Sequence, residues 1–494
     1  MKLSDVLEEF EAKFEVVGDI NQNIRGLYHN SKEVTDGGVF FALEGSNVDG
    51  NQFIEEAISN GAKVIVSSSP KKLKEGITNV IVNDTREAMS LFASSYYDNP
   101  SLDMFVVGVT GTNGKTTSTF MLASIFKEAG RSVGIIGTNG IYINGKKYPS
   151  NFTTPDPIIL QETLAKMRAR GVNCVVMEVS AHALELQKIR GVMTDIALFT
   201  NLTQDHLDYF KTMENYGRAK AKFFQKGVSS FGVVNYDDEF GKQLFENIEI
   251  PALTYSRDLE QKKLREADII VLEEKHNTTN TTFKIASPKG EEEFTINLAG
   301  GFNVSNALGA ISAGIIAGIP LSVISRGLNK LEKVAGRFNT YDVNGVRVII
   351  DFAHTPDGLE NILTETRKIT EGEVYAVFGC GGNRDAIKRP IMGNIASRLA
   401  NYTIITSDNP RNEFPDEIAS EIERGMDVGA LHSVILDREN AIKLAISMAK
   451  KGDSVVIAGK GAEDYMEING EKIPYSDCKV VESLIEKKDN REKE

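Results

Sequence analysis

Read for polarity alone, the chain falls into short apolar runs separated by amphipathic stretches. In the first hundred residues "GGVFFAL", "AKVIVSS" and "NVIVN" read as strands, and the stretches over 50–60 and 84–97 read as helices. The opening "MKLSDVLEEFEAKF" has the spacing of an acidic amphipathic helix. A break at "YDNPSLD" precedes a second series in which "VVGVT", "SVGIIG", "NCVVMEVS", "TDIALFTN" and "SFGVVNYDD" are buried strands with helical segments between them. That alternation predicts a largely parallel, doubly wound sheet. Over 255–300 the pattern changes, and "DIIVLEE", "NTTFKIAS" and "EEFTINLAG" read as consecutive strands of an antiparallel flap. After "KVAGRF" a third series follows, with strands "VRVIIDFAH", "EVYAVFGC", "NYTIITSDN" and "DSVVIAG", again predicting a parallel sheet. The charged end "EKKDNREKE" reads as frayed and carries no assigned role.

Composition narrows this picture. A chain of 494 residues is too long for one hydrophobic core, and the patterns divide it into 1–100, 101–334 and 335–494. The 56 basic and 69 acidic residues give a net charge of −13 with no basic cluster, which argues against a nucleic-acid partner. Cys174, Cys380 and Cys478 are far apart with no CxxC spacing, as expected of free thiols in a reducing compartment. The N-terminal pattern is not that of a signal peptide, and no run of ~18 apolar residues suits a membrane span. The expectation is a cytoplasmic protein with no membrane partner.

The candidate chemistry begins at "VVGVTGTNGKTTSTF", residues 106–120. A buried strand leads into a glycine-bearing turn, Gly111, Thr112, Asn113 and Gly114, and then Lys115, Thr116 and Thr117 open a helix. The order suits phosphate binding: N–H groups at a helix start face the anion, a lysine reaches it, and a hydroxyl holds magnesium. It is not the strict P-loop, which wants glycine where Val109 stands.

Ligands collect at the C-terminal ends of parallel strands. Those ends carry the phosphate loop, "MEVSAH" and "TNLTQDHLD", so Glu178 and His206 converge on Lys115 and Thr116. Carboxylate, imidazole and loop hydroxyl around one nucleotide make a magnesium site. Taken singly, Glu178 also reads as a helix cap and His206 as a structural histidine. Lys220, in "ENYGRAKAKFF", reads with Lys222 and Lys226 as a solvated helix face.

In order along the chain, "GVTGTNGKTT", "MEVSAH", "TNLTQDHLD", "GGFNVSN", "GRF", "DFAHTPDGL", "CGGNRD", "KRP", "SDNPR" and "GKGAEDY" resemble the motifs of the Mur ligases of peptidoglycan synthesis. The resemblance covers nearly the whole chain. It implies an α/β protein of three domains: an N-terminal UDP-binding α/β domain, a central P-loop ATPase domain with a parallel sheet, and a C-terminal Rossmann-like domain. The implied reaction is ATP-dependent amide-bond formation. The γ-phosphoryl group of ATP goes to a substrate carboxylate, because a bare carboxylate has no leaving group, and an amine then attacks the acyl phosphate.

The resemblance also assigns roles. Lys115 bridges the β- and γ-phosphates, Thr116 and Glu178 hold one magnesium, His206 helps hold a second, and Lys220 is N-carbamylated into an anionic metal ligand. Asn303 and Asn306 lie near the adenine, Arg337 comes from the hinge, and Asp351 and His354 face the same cleft, with capping and turn roles still open for the last two. Ser31, in "HNSKEVTDGGVFFALEG", is the uridine contact. Thr153, Thr154 and Ser180 face the muramoyl dipeptide, with Lys188 where the family usually has arginine; Phe210 replaces a common histidine.

The implied partners are UDP-MurNAc-L-Ala-D-Glu and a diamino acid, with a monomer expected, in a pathway that serves cell-wall biogenesis, cell shape and division. Asp408, Asn409, Pro410 and Arg411 form the DNPR sequence of members that add meso-diaminopimelate, whose extra carboxylate a guanidinium pairs through two parallel hydrogen bonds. Arg384 reaches a carboxylate, and Glu463, after Gly459, takes the distal ammonium. Ala462 stands where such members usually have histidine, so lanthionine and L-lysine rank behind. Two other functions share the nucleotide loop: a ligase like folylpolyglutamate synthase, and a nucleotide-binding protein without catalysis.

Overall fold

The apolar runs pair as alternating strands and helices require. In the computed structural model, which describes residues 1–45, 48–150, 152–258, 267–277 and 280–491, strand Phe105–Thr110 lies parallel between Cys174–Glu178 and Thr194–Phe199. Val133–Gly137 extends the sheet on one side, and Ser229–Asn235 and Ala252–Ser256 on the other, all parallel. Every residue of Cys174–Glu178 is buried, because helices cover both faces of such a sheet. On one face Leu122, Ile125, Leu308 and Ile311 pack on Val107, Val176 and Leu198. On the other, Leu160 and Leu164 pack on Val106, Val175 and Ala197. Each large aliphatic side chain so buried contributes about 1.5–3 kcal/mol relative to exposure.

The antiparallel flap forms, with strands Ile269–His276, Thr281–Ser287 and Gly290–Ile296. It is not separate from the main sheet. Ile269–His276 pairs with Ala252–Ser256, so the flap continues the sheet to eleven strands. Phe283 and Phe294 stack at 5.7 Å and join the same core.

The N-terminal sheet has five strands, in the order Phe14–Val17, Thr78–Val82, Ala62–Ser67, Gly38–Phe41, Gly26–Tyr28. Its first strand departs from the sequence expectation. The helix stops at Glu8 with Leu3, Val6 and Leu7 buried, and residues 14–17 become an antiparallel edge strand. A helix this short is marginal without tertiary support, while the free edge of Thr78–Val82 offers a full ladder. Phe10 turns the corner, 5.8 Å from Phe92 and 5.6 Å from Phe14.

The C-terminal sheet runs Asn339–Val343, Val346–Asp351, Ser454–Ala458, Val374–Phe378, Tyr402–Ile405, His432–Val434, parallel except for its first strand. The architecture is therefore three α/β domains in sequence. Helix Thr85–Tyr96 ties the first to the second, with Ser90 and Ser94 donating to the carbonyls of Gln187 and Gly191, each at 2.8 Å. All three cysteines are free. Among the described residues no helix is long and apolar enough to cross a membrane.

Candidate active site between the central and C-terminal domains

At the end of Phe105–Thr110 the chain turns through Gly111 and Gly114 into helix Lys115–Glu128. Both glycines hold positive φ, +148° and +85°, and a Cβ on either would collide with Thr200 Oγ1 or Asn306 Oδ1. Only glycine fits there. Gly114 supplies no side-chain cap, which leaves the first N–H groups, those of Lys115, Thr116 and Thr117, directed at any anion before the helix. The N–H groups of Thr112 and Asn113 instead bond the carbonyl and side-chain oxygens of Asn201, each at 2.9 Å, and so fasten the loop to the next strand end. Lys115 folds back so that Nζ donates to the carbonyls of Gly111 and Thr112, at 2.8 and 2.7 Å. Burial holds its amine below the ordinary lysine range, against the pull of Glu178 and Asp205.

Glu178 meets Thr116 as expected. Its Oε1 accepts from Thr116 Oγ1 at 3.0 Å and from the N–H of Thr138 at 2.9 Å, and its Oε2 accepts from Thr138 Oγ1 at 3.1 Å. Arg337 reaches across from the hinge, with Nη2 donating to Thr116 Oγ1 at 2.8 Å and the guanidinium 4.5 Å over the Phe352 ring. A hydroxyl and a carboxylate side by side are the hard oxygen donors a magnesium ion takes. Among the described residues no group of three His, Cys, Asp or Glu forms a metal centre. The donor set thus suits an ion that keeps water and phosphate oxygens as its remaining ligands.

His206 adopts φ +58° and belongs to an aromatic group with His182 at 4.8 Å and Tyr216 at 5.9 Å. Phe210 fills the gap between His182 and Tyr216, 5.2 Å from each, which explains an apolar ring at that position. Burial pulls the His206 imidazole down to about 3, with His182, Lys220 and Lys115 adding to the effect and Asp205 opposing it. Lys220 is not on a solvated face. It is 1% exposed, its Nζ donates to Gly111 O at 3.0 Å and lies 4.4 Å from the Tyr216 ring centre. Burial first, then Lys115, holds that amine well below the ordinary lysine range. Its neighbour Lys222 points outward to Glu185, at 2.7 Å.

The C-terminal domain closes directly on this loop. Asn113 Nδ2 donates to Asp357 Oδ2 at 2.6 Å, and Thr355 Oγ1 donates to Asn113 Oδ1 at 3.3 Å. Asp205 gathers Lys388 Nζ at 3.3 Å, His206 Nε2 at 3.5 Å and His354 Nε2 at 3.6 Å. Burial alone would push that carboxyl up, but Lys388, His354 and His206 outweigh it and hold it well below the usual range. Asp351 proves to be a backbone anchor, accepting from the N–H groups of Phe338 at 2.7 Å and Ala353 at 2.8 Å. Asn306 stands against Gly114 and donates to Asn303 Oδ1 at 3.3 Å, while Asn303 donates to Ala299 O at 2.7 Å.

Thr154 Oγ1 donates to Glu178 O at 2.9 Å and accepts from the N–H of Ser180 at 3.1 Å; Thr153 Oγ1 lies 3.0 Å from Thr138 Oγ1. Lys188 pairs with Asp156 at 2.6 Å and sits 4.9 Å over Phe152, so it belongs to this same segment. Ser31 lies apart, buried in the N-terminal domain with its hydroxyl on Glu56.

On the C-terminal domain the predicted amino-acid residues do cluster. Arg411, at φ +52°, donates from Nε to Glu467 Oε2 at 3.0 Å and from Nη1 to Gly382 O at 2.8 Å. Arg384 is exposed beside it, both side chains flanking Gly381. Lys460 Nζ joins Asn409 Oδ1 and Glu463 Oε2, each at 2.9 Å, and Asn409 Nδ2 reaches Glu463 at 3.0 Å. Pro410 is buried in the same loop. Gly459, at φ +117°, lets Asp408 approach, and Ala462 packs against the hinge at Gly336. Sequence reasoning missed Thr138, Asn201, Asp205, Asp357 and Lys388. Asn201 and Asp205 lie within "TNLTQDHLD" and Lys388 within "KRP", so the motifs held the signal.

Comparison with known proteins matches three sequence profiles: the Mur ligase family, catalytic domain, over residues 23–97; the Mur ligase middle domain over 109–314; and the Mur ligase, glutamate ligase domain over 336–461. A UDP-N-acetylmuramoyl-L-alanyl-D-glutamate--2,6-diaminopimelate ligase from Clostridium acetobutylicum is 41% identical over 98% of this chain and 99% of its own. The ligase of the same name from Aquifex aeolicus is 41% identical over 94% of each chain. A solved structure of a ligase of that name superposes with TM-score 0.69 at 32% identity, covering 99% of both chains. Folylpolyglutamate synthase of Mycobacterium tuberculosis, complexed with ADP, shares the fold at TM-score 0.63 and 15% identity, over 76% of this chain and 91% of its own.

Proposed function

We propose a function from one premise: this chain belongs to the Mur ligase family. It is an ATP-dependent ligase of the MurE branch, joining meso-diaminopimelate to the D-glutamate of UDP-MurNAc-L-Ala-D-Glu in peptidoglycan precursor synthesis. The observation that carries the specificity is Arg411 of the DNPR loop, anchored through Nε and Nη1 with no partner for Nη2 among the described residues. A guanidinium fixed at one end and open at the other is set to receive a carboxylate, which diaminopimelate has on its side chain and lysine lacks. The diaminopimelate ligases at 41% identity across the chain support the same choice.

On this reading residues 1–100 bind the nucleotide sugar, 101–334 bind ATP, and 335–494 bind the incoming amino acid. The helix start at Lys115, the Lys115 amine and the Arg337 guanidinium hold the phosphates. A carboxylate oxygen of D-glutamate attacks the γ-phosphorus and ADP leaves; the diaminopimelate amine then attacks the acyl carbon, phosphate leaves, and the nitrogen gives up a proton. Transfer between anions is limited by charge and position rather than by covalent help. Thr116 and Glu178 would hold magnesium, with His206 and a carbamylated Lys220 serving a second ion, and the metal would neutralise charge on the transferring phosphoryl group. Asn303 and Asn306 serve the adenine, Ser31 the uridine, and Thr153, Thr154, Ser180 and Lys188 the muramoyl dipeptide. Arg384, Asp408, Asn409, Gly459 and Glu463 complete the amino-acid site. The enzyme works in the cytoplasm, where ATP and the nucleotide sugar meet.

The test supplies purified protein with ATP, UDP-MurNAc-L-Ala-D-Glu and single amino acids, and follows phosphate release and product mass. meso-Diaminopimelate is expected to give the fastest turnover. Faster turnover with L-lysine or lanthionine would overturn the specificity, and release independent of any amino acid would overturn the ligase.

A further inference from the structure

Behind the amino-acid site lies one fully enclosed ion pair. Arg438 opens helix Arg438–Met448 and Asp477 opens Asp477–Arg491, and the two are 2% and 0% exposed. Arg438 donates from Nε to Asp477 Oδ1 and from Nη2 to Asp477 Oδ2, both at 2.9 Å, and Tyr475 Oη donates to Asp477 Oδ1 at 3.0 Å. The guanidinium has donors to spare. Nη1 reaches Ser407 O at 3.2 Å and Nη2 also reaches Ala458 O at 2.9 Å.

Those two carbonyls sit immediately before Asp408 and Gly459, where the site's two loops leave the sheet. The strands beneath them, Tyr402–Ile405 and Ser454–Ala458, are not neighbours, since Val374–Phe378 runs between them. At ordinary strand spacing their ends stand roughly 10 Å apart. Among the described residues no backbone bond joins 408–410 to 459–463; the nearest backbone link lies further out, where Arg411 bridges to Ile468 through bonds with Glu467 and Asn469. Arg438 spans it from behind, while Lys460, Asn409 and Glu463 join the same loops from within the site.

We propose that Arg438, oriented by Asp477, is a positioning residue for the incoming diamino acid: its guanidinium fixes the 408–411 loop against the 459–463 loop. The inference deepens the function proposed above and rests on it. Asp408 supplies a second line of support. Its Oδ2 is buried with no hydrogen-bond partner among the described residues, and a Cβ at Gly459 would lie 2.5 Å from that oxygen and 3.9 Å from Arg438 Nη2. An enclosed carboxylate oxygen needs a positive field. Lys460 and Arg438 supply it, holding the Asp408 carboxyl below the usual range against its burial. A lysine at 438 would keep the charge but lose the planar fork that reaches two carbonyls and a carboxylate together.

Steady-state kinetics on Arg438→Lys and Asp477→Asn test the assignment, with ADP binding by calorimetry reporting the fold. Each variant is expected to raise KM for meso-diaminopimelate by about tenfold or more, since loop displacements near 1 Å carry effects up to 10²-fold. KM for ATP and for UDP-MurNAc-L-Ala-D-Glu should stay within about twofold, because their sites lie on other elements. The double variant Arg438→Met with Asp477→Leu removes both charges, so it should regain thermal stability lost by either single change while keeping the raised KM. All three KM values rising together, or the double variant restoring KM with stability, would reduce the pair to a structural one and overturn the proposal. Wild-type protein that does not use meso-diaminopimelate at all would sink the underlying function, a failure visible before any variant is made.

Discussion

Lys115 and Lys220 donate to the same oxygen, the carbonyl of Gly111, at 2.8 and 3.0 Å. Two ammonium groups on one enclosed carbonyl repel each other, and burial together with Lys115 holds the Lys220 amine well below its ordinary range. That lowering favours the neutral, nucleophilic form of the Lys220 amine, and adding CO₂ to it would replace repulsion from Lys115 with attraction. Protein equilibrated with ¹³C-bicarbonate should show a carbamate carbonyl resonance in the wild type that is missing from Lys220→Met. Lys220→Ala should be inactive and should stay so at high bicarbonate. Bare, well-ordered lysine density in a magnesium- and nucleotide-bound crystal would refute the modification.

The His206 imidazole, pulled down to about 3 by burial, is neutral in the folded protein throughout the physiological range. An unfolded chain takes up that proton near pH 6.5. The folded state thus binds fewer protons between pH 6.5 and about 3, so the stability His206 contributes is complete above pH 6.5 and falls as the pH drops through that window. Imidazole NMR should find His206 uncharged at pH 5.5, and His206→Asn should flatten part of the acid limb of a stability curve. A His206 resonance titrating near 6.5 would show that its partial burial does not hold the imidazole down.

Strand positions were legible because short apolar runs, such as residues 174–177 ahead of Glu178, have few other ways to be buried. The helical reading of residues 1–14 held only to Glu8, and from Phe14 a free sheet edge offered more than helix propensity. Site residues divide in the same way. Gly111 and Lys115 could be read from the loop's local geometry, but the burial of Lys220 depends on Tyr216 and the Gly111 carbonyl, 109 residues away from Lys220. Polarity alone cannot separate it from Lys222, which points to solvent-side Glu185. Thr138 carries no motif at all, and only the fold sets it against Glu178. Asp205 acquires Lys388 and His354 only when two domains meet.

That meeting is testable at Lys388. The amine is buried 3.3 Å from Asp205 and belongs to the opposite domain. Removing one member of a buried pair costs about 3–5 kcal/mol in general, lessened here by His206 and His354 on the same carboxylate. The cost falls on the closed arrangement alone, so Lys388→Met should shift the protein toward open forms and slow turnover by more than about tenfold, one decade per 1.4 kcal/mol. Small-angle scattering should record a larger radius of gyration than in the wild type, partly reversed by adding Asp205→Asn. Scattering curves that superpose would mean that Lys388 does not hold the domains together.

On the proposed function, Arg411 decides the amino acid. Its Nε and Nη1 are committed to Glu467 and Gly382, which fixes the plane of the guanidinium, and Nη1 stands against Gly381 with the Arg384 side chain on the same glycine. A substrate with a side-chain carboxylate gains a charge-assisted bond that lysine cannot make. Truncating one partner of such a buried pair costs about 2–5 kcal/mol, roughly 30- to several-thousand-fold in an equilibrium. Arg411→Ala should therefore raise KM for meso-diaminopimelate by at least the lower figure, with ADP affinity nearly unchanged because the phosphate loop lies on another domain. The same variant should narrow the preference for meso-diaminopimelate over L-lysine, since the lost contact is one only the former makes. Equal losses with both amino acids would show that Arg411 holds the loop rather than reading the carboxylate, and would move the specificity to Arg384.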